Sequence, residues 1–108
     1  MERRLAAILA ADVVEYSRLM HNDEMGTLIA LKKCETEIFE PTVHQFSGRI
    51  FKKMGDGLLA EFASAIEAVR CAVEVQFAMA GHPDEIPEDH RIVYRIGINL
   101  GDIIIDGG

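Results

Sequence analysis

The stretch RIFKKMGDGLLAEF, Arg49 to Phe62, is the strongest constraint on the fold. Two runs of strand-forming residues flank a tight pair. Gly55-Asp56 fits a two-residue hairpin turn, and Asp56-Gly57 is an equally good register. The hairpin lies between two segments of helical period. Before it, Met25, Leu28, Leu31, Glu35, Ile38, Phe39, Val43 and Phe46 recur every three or four residues. That is an amphipathic helix bent or broken near Pro41 and ended by Ser47-Gly48. After it, Ser64 and Glu67 form a capping box, and Ile66, Val69, Val73, Phe77 and Ala80 mark a helix face. Gly81-His82-Pro83 stops that helix, and an acidic loop, PDEIPEDH, follows.

Two strands complete the pattern. Leu5 to Glu15 is nearly all apolar and reads as a central strand buried on both faces. Ile92 to Ile105 alternates and reads as a strand that can bend at Gly97 or Gly101. SRLMHNDE between the first strand and the first helix is a polar break, with Asn22 or Asp23 as the helix cap. The order is β-α-β-β-α-β, an α+β, ferredoxin-like arrangement. The first two strands then run parallel, with the third between them and antiparallel to both. This topology places Asp12, near the end of strand one, beside Asp56, just before strand three.

Two carboxylates meeting at a glycine turn suit a hard divalent cation such as Mg²⁺, with substrate phosphates filling the rest of its shell. The bland alternatives are a turn Asp chosen for its backbone habits and a strand-end Asp serving as a cap. Composition bears on this choice. The chain has 108 residues, enough for one domain, and a net charge of −7. A nonspecific nucleic-acid or membrane binder would carry a basic face. An acidic protein handling polyphosphate needs a metal to screen both partners. Cys34 and Cys71 have neither metal-ligand nor redox-motif spacing and read as reduced core thiols in a cytoplasmic protein. Arg3 and Arg4 precede an apolar run, but Asp12 and Glu15 interrupt it too early for a signal peptide. No segment is long enough to span a bilayer.

The blocks ILAADVVEYSRLM, GRIFKKMGDGLLAEF, AVRCAVEVQFAM and RIGINLGDIII, in this order and at these separations, resemble the class III adenylate/guanylate cyclase catalytic domain in its bacterial soluble subtype. The resemblance runs from Arg4 to Asp106 and makes residues 4–108 the N-terminal portion of such a domain, with no second domain. It implies a ferredoxin-like core and metal-dependent conversion of ATP, or alternatively GTP, to the 3′,5′-cyclic monophosphate and pyrophosphate. It implies two Mg²⁺ or Mn²⁺ ions. One helps to deprotonate the ribose 3′-hydroxyl; the other binds the triphosphate and stabilises the leaving group.

By position, Asp12 and Asp56 correspond to the metal-binding aspartates, and Val13 offers its backbone carbonyl. Val14, Glu15, Tyr16 and Ser17 supply N–H groups to the phosphates beside Gly55. Lys52 corresponds to the lysine that reads adenine. Lys53 should point to the other face and be a solvated charge. The resemblance also implies a homodimer, because each site in the family is built from two subunits.

Two departures stand out. The family often has glycine where this chain has Glu15. Its second base reader, and the asparagine and arginine that act on the ribose and transition state, lie beyond GDIIIDGG; Asn99, Arg91 and Arg95 come too early. The expectation is therefore a C-terminally truncated cyclase domain that is inactive alone. The alternatives are a non-catalytic cyclase-like module that dimerises or binds metal or nucleotide, and an unrelated interaction domain whose aspartates are structural.

Overall fold

The computed structural model describes residues 2–81 and 90–105. Four strands, β1 (Glu2–Val13), β2 (Arg49–Met54), β3 (Gly57–Phe62) and β4 (Tyr94–Ile105), form one antiparallel sheet in the order β2-β3-β1-β4. β1 and β2 both run antiparallel to β3, so they are parallel to each other across it. This is the expected ferredoxin-like order. The helices α1 (Tyr16–Asn22), α2 (Glu24–Cys34), α3 (Glu40–Gln45) and α4 (Ala65–Ala80) accompany it. The core lies on one sheet face, where Leu9, Ala11, Leu58, Ala60 and Phe62 meet Phe39, Val43, Cys71 and Val75. Burying Phe39 and Phe62 contributes about 2–3 kcal/mol each. The opposite face, called open below, carries Asp12, Lys52, Glu61 and Arg95 by strand alternation.

The first connection departs from expectation in two places. Most of SRLMHNDE is helical, with Ser17 to Asn22 in α1, and the break narrows to Asp23. Leu19 is buried, and the Thr27 hydroxyl donates to the Leu19 carbonyl at 3.0 Å, so one buried leucine anchors a short polar turn. Asp23 then caps α2, accepting from the Gly26 N–H at 3.0 Å. The helix runs on through Pro41, and its α-helical pattern is interrupted just before it. A π-helical turn, Glu35–Phe39, joins α2 to α3, and the Glu40 N–H reaches back to the Glu35 carbonyl. This widened turn makes room for the proline ring, which would crowd the carbonyl of a regular α-helix.

Ser47-Gly48 ends α3 as expected, through Gly48 N–H to Val43 carbonyl and Ser47 N–H to His44 carbonyl. That is the double bond pattern of a Schellman cap, with Ser47 left-handed at φ 60. Glycine is needed one residue later, where a Cβ on Gly48 would sit 2.3 Å from the Phe62 ring.

α4 presents a different face from the one its pattern suggests. Ala68, Cys71, Val75 and Met79 are buried, whereas Ile66, Val69, Val73 and Phe77 are exposed. The helix has two apolar stripes, and the one with small residues lets its backbone approach the sheet. Ser64 supplies the cap, accepting from Glu67 N–H at 3.2 Å. His82, Pro83 and most of the acidic loop lie outside the described residues. β4 pairs with β1 without a register shift through Gly97 and Gly101.

Candidate functional site

The hairpin turn takes the first of its two possible registers. Met54 pairs with Gly57, leaving Gly55 and Asp56 at the tip. Gly57 pairs in turn with Asp12. A Cβ on Gly57 would lie 2.1 Å from the Ala11 carbonyl oxygen, so only glycine allows β3 this close to β1. The contact is completed by Val13, whose N–H donates to the Asp56 carbonyl at 2.8 Å. Asp12 and Asp56 are thereby fixed at neighbouring strand ends. The chain then turns into α1 through Glu15, which is left-handed at φ 55. α1 brings the Tyr16 hydroxyl to within 3.4 Å of where a Gly55 Cβ would stand. Asp12, Val13, Tyr16, Gly55 and Asp56 thus converge on one end of the sheet.

Other expected residues are placed with more qualification. The Val14 N–H donates to the Val93 carbonyl at 2.8 Å, so it is already engaged in the sheet margin. Glu15 turns its carboxylate to Arg18, 2.8 Å away, which offsets its negative charge at the start of α1. Lys52 lies opposite Leu59, which lies opposite Ala10, so Lys52 shares the open face with Asp12. Lys53 faces the other side, as alternation requires, but it is paired as well as solvated. Its ammonium donates to Glu40 Oε1 at 2.8 Å and sits 3.8 Å from Glu35 Oε2. That hydrogen bond holds the Lys53 pKa above its ordinary value and the Glu40 pKa below.

Sequence reasoning missed two arginine pairs on the open face. Arg95 lies directly opposite Asp12 and donates to Asp12 Oδ1 from Nε at 3.1 Å and from Nη2 at 3.0 Å. At the far end Glu61 accepts from Arg49 at 2.9 Å and pairs with Arg4 at 3.5 Å, while its buried Oε2 has no hydrogen-bond partner among the described residues. A polar residue at an open-face position of β3 was the available signal for Glu61. Arg95 needed the β1–β4 register, which no local pattern supplies.

The donor set near the turn fits a hard divalent cation. It offers accessible carboxylates and a backbone carbonyl rather than a closed cage. Among the described residues no group of three or more His, Cys, Asp or Glu side chains is brought together. Cys71 is far from such chemistry, since burial pushes its thiol up to about 11. No helix among the described residues is long and apolar enough to cross a membrane.

No family model matches the chain. It is 53% identical over 106 residues to a Rhizobium meliloti (strain 1021) protein named "Putative adenylate cyclase 3", a match covering 98% of this chain and 18% of that protein. The crystal structure of an adenylate/guanylate cyclase/hydrolase from Silicibacter pomeroyi superposes with a TM-score of 0.86 at 48% identity, over 98% of this chain and 62% of that one. A bacterial light-regulated adenylyl cyclase shares the fold, with a TM-score of 0.83 at 17% identity, over 96% of this chain and 57% of that one. The chain thus spans about a fifth of the curated relative's length and about three-fifths of the Silicibacter structure's.

Proposed function

We propose that this chain, which by sequence and by fold matches part of a class III adenylate/guanylate cyclase domain, carries the metal-binding and phosphate-binding portion of a nucleotidyl cyclase site. The reaction is conversion of ATP to 3′,5′-cyclic AMP and pyrophosphate, in the cytoplasm, within a homodimer. The observation that carries this reading is the convergence of Asp12 and Asp56, tied by the Val13 N–H to the Asp56 carbonyl.

Asp12, Asp56 and the Val13 carbonyl are the groups that would hold two Mg²⁺ or Mn²⁺ ions. Such ions, when bound, supply the positive charge that eases loss of the ribose 3′-proton and departure of pyrophosphate. The remaining work falls to the chain. The Glu15, Tyr16 and Ser17 N–H groups, where β1 gives way to α1, face a phosphate with donors that no helix carbonyl uses. The Val14 N–H joins them only by giving up Val93. Gly55 leaves its own position in the turn without a side chain beside the Tyr16 hydroxyl. Lys52, a pure donor, suits an acceptor nitrogen on the base and favours ATP over GTP.

The test is binding of ATP and GTP to the purified chain with Mn²⁺, read by calorimetry. ATP is expected to bind more tightly than GTP, and Asp56→Ala is expected to abolish Mn²⁺-dependent binding without lowering the unfolding temperature. Undiminished binding in Asp56→Ala would sink the metal role. Joined to the part of the Silicibacter domain outside the match, the chain is expected to form cyclic AMP, detected by mass spectrometry.

A further inference from the structure

Asp12 is engaged by a side chain of the neighbouring strand. The β1–β4 ladder sets Arg95 directly across from it, and two guanidinium nitrogens converge on the single oxygen Oδ1 at 3.0 and 3.1 Å. Both side chains are well exposed, Arg95 at 72% and Asp12 at 49%. An ion pair this wet is weak, since water competes for both partners and salt screens them. It is therefore exchangeable, and its position follows from backbone register rather than from a chance rotamer.

We propose that Arg95 is an internal competitor for the divalent cation at Asp12, and so a residue that sets the cation affinity of the site. The inference rests on the metal role given to Asp12 above. A dication seated on Asp12 would meet the guanidinium's positive charge a few ångströms away, and the two repel. Binding must then displace the arginine or tolerate it. Either way Arg95 raises the cation concentration needed to fill the site. The opposite arrangement, in which Arg95 steadies the carboxylate for the metal, would make its removal weaken binding. The two roles differ in sign.

Mn²⁺ binding to the intact chain, without nucleotide, separates them. Free Mn²⁺ is followed by electron paramagnetic resonance. Arg95→Gln is expected to tighten Mn²⁺ binding about three- to tenfold, the range for an exposed pair plus the relieved repulsion. Arg95→Lys, which keeps the charge, should stay near the unmodified protein. Arg70→Gln removes a positive charge from α4, which packs on the other face of the sheet, and should change affinity less than twofold. In an Asp12→Asn background Arg95→Gln should have no effect.

Weaker or unchanged Mn²⁺ binding in Arg95→Gln, or an effect no larger than that of Arg70→Gln, overturns the competition. If Asp12→Asn leaves Mn²⁺ binding intact, the metal role of Asp12 falls first, and the inference with it.

Discussion

At one end of the open sheet face Asp12 holds Arg95 in water; at the other, Glu61 holds Arg49 and Arg4 with its own side chain only 8% exposed. Both are carboxylate–guanidinium contacts near 3 Å, made across neighbouring strands. Distance does not tell them apart, but solvent does. Asp12 can trade its arginine for another cation at little cost, because water already solvates both groups. Glu61 cannot, because a buried carboxylate deprived of its partners has nothing to replace them. The exposed pair is suited to exchange and the buried one ties β1, β2 and β3 together. A carboxylate becomes exchangeable or a strut according to where the fold leaves it.

The strongest way to break this contrast is to strip Glu61. The double variant Arg4→Ala/Arg49→Ala should lose about 3 kcal/mol of stability in chemical denaturation. Adding Glu61→Leu should recover most of that loss; failure to recover would mean that the arginines, not the carboxylate, mattered. Next comes Gly57→Ala at the other end. Its new methyl group would strike the Ala11 carbonyl, so about 1–3 kcal/mol should be lost, together with Mn²⁺ binding, as β3 is forced away from β1. Glu15→Gly should act in the opposite direction. It relieves a left-handed backbone and should raise stability by about 1 kcal/mol in thermal melts. The smallest effect sharpens the comparison most. Arg95→Ala should change stability by less than about 0.5 kcal/mol, against the large loss at Glu61's arginines.

Much of this arrangement was legible before any coordinate. The meeting of Asp12 and Asp56 followed from element order alone, because a split βαβ unit with an intervening strand permits one placement. The Asp23 and Ser64 caps were also local signals that held. What escaped notice depended on tertiary choice. α4 carries two apolar stripes, and only the space above Leu58 and Phe62 selects the one containing Ala68 and Cys71. α1 is too short and polar to declare itself without Leu19's burial. The π-helical turn hides because a proline reads as a stop, whereas one extra residue in the turn accommodates it. The pairing of Arg95 with Asp12 is invisible to local pattern because the two stand 83 residues apart.

β4 has a consequence of its own. It lies at the margin of the sheet, pairs with β1 along twelve residues, and leaves its outer backbone edge unpaired among the described residues. Leu100 and Ile104 stand exposed along it. A long apolar margin of this kind is a template on which another strand can grow. The chain's solution behaviour should therefore depend on its concentration: light scattering should rise with protein loading, and a lysine placed at Leu100 should suppress that rise while leaving the monomer's fold intact.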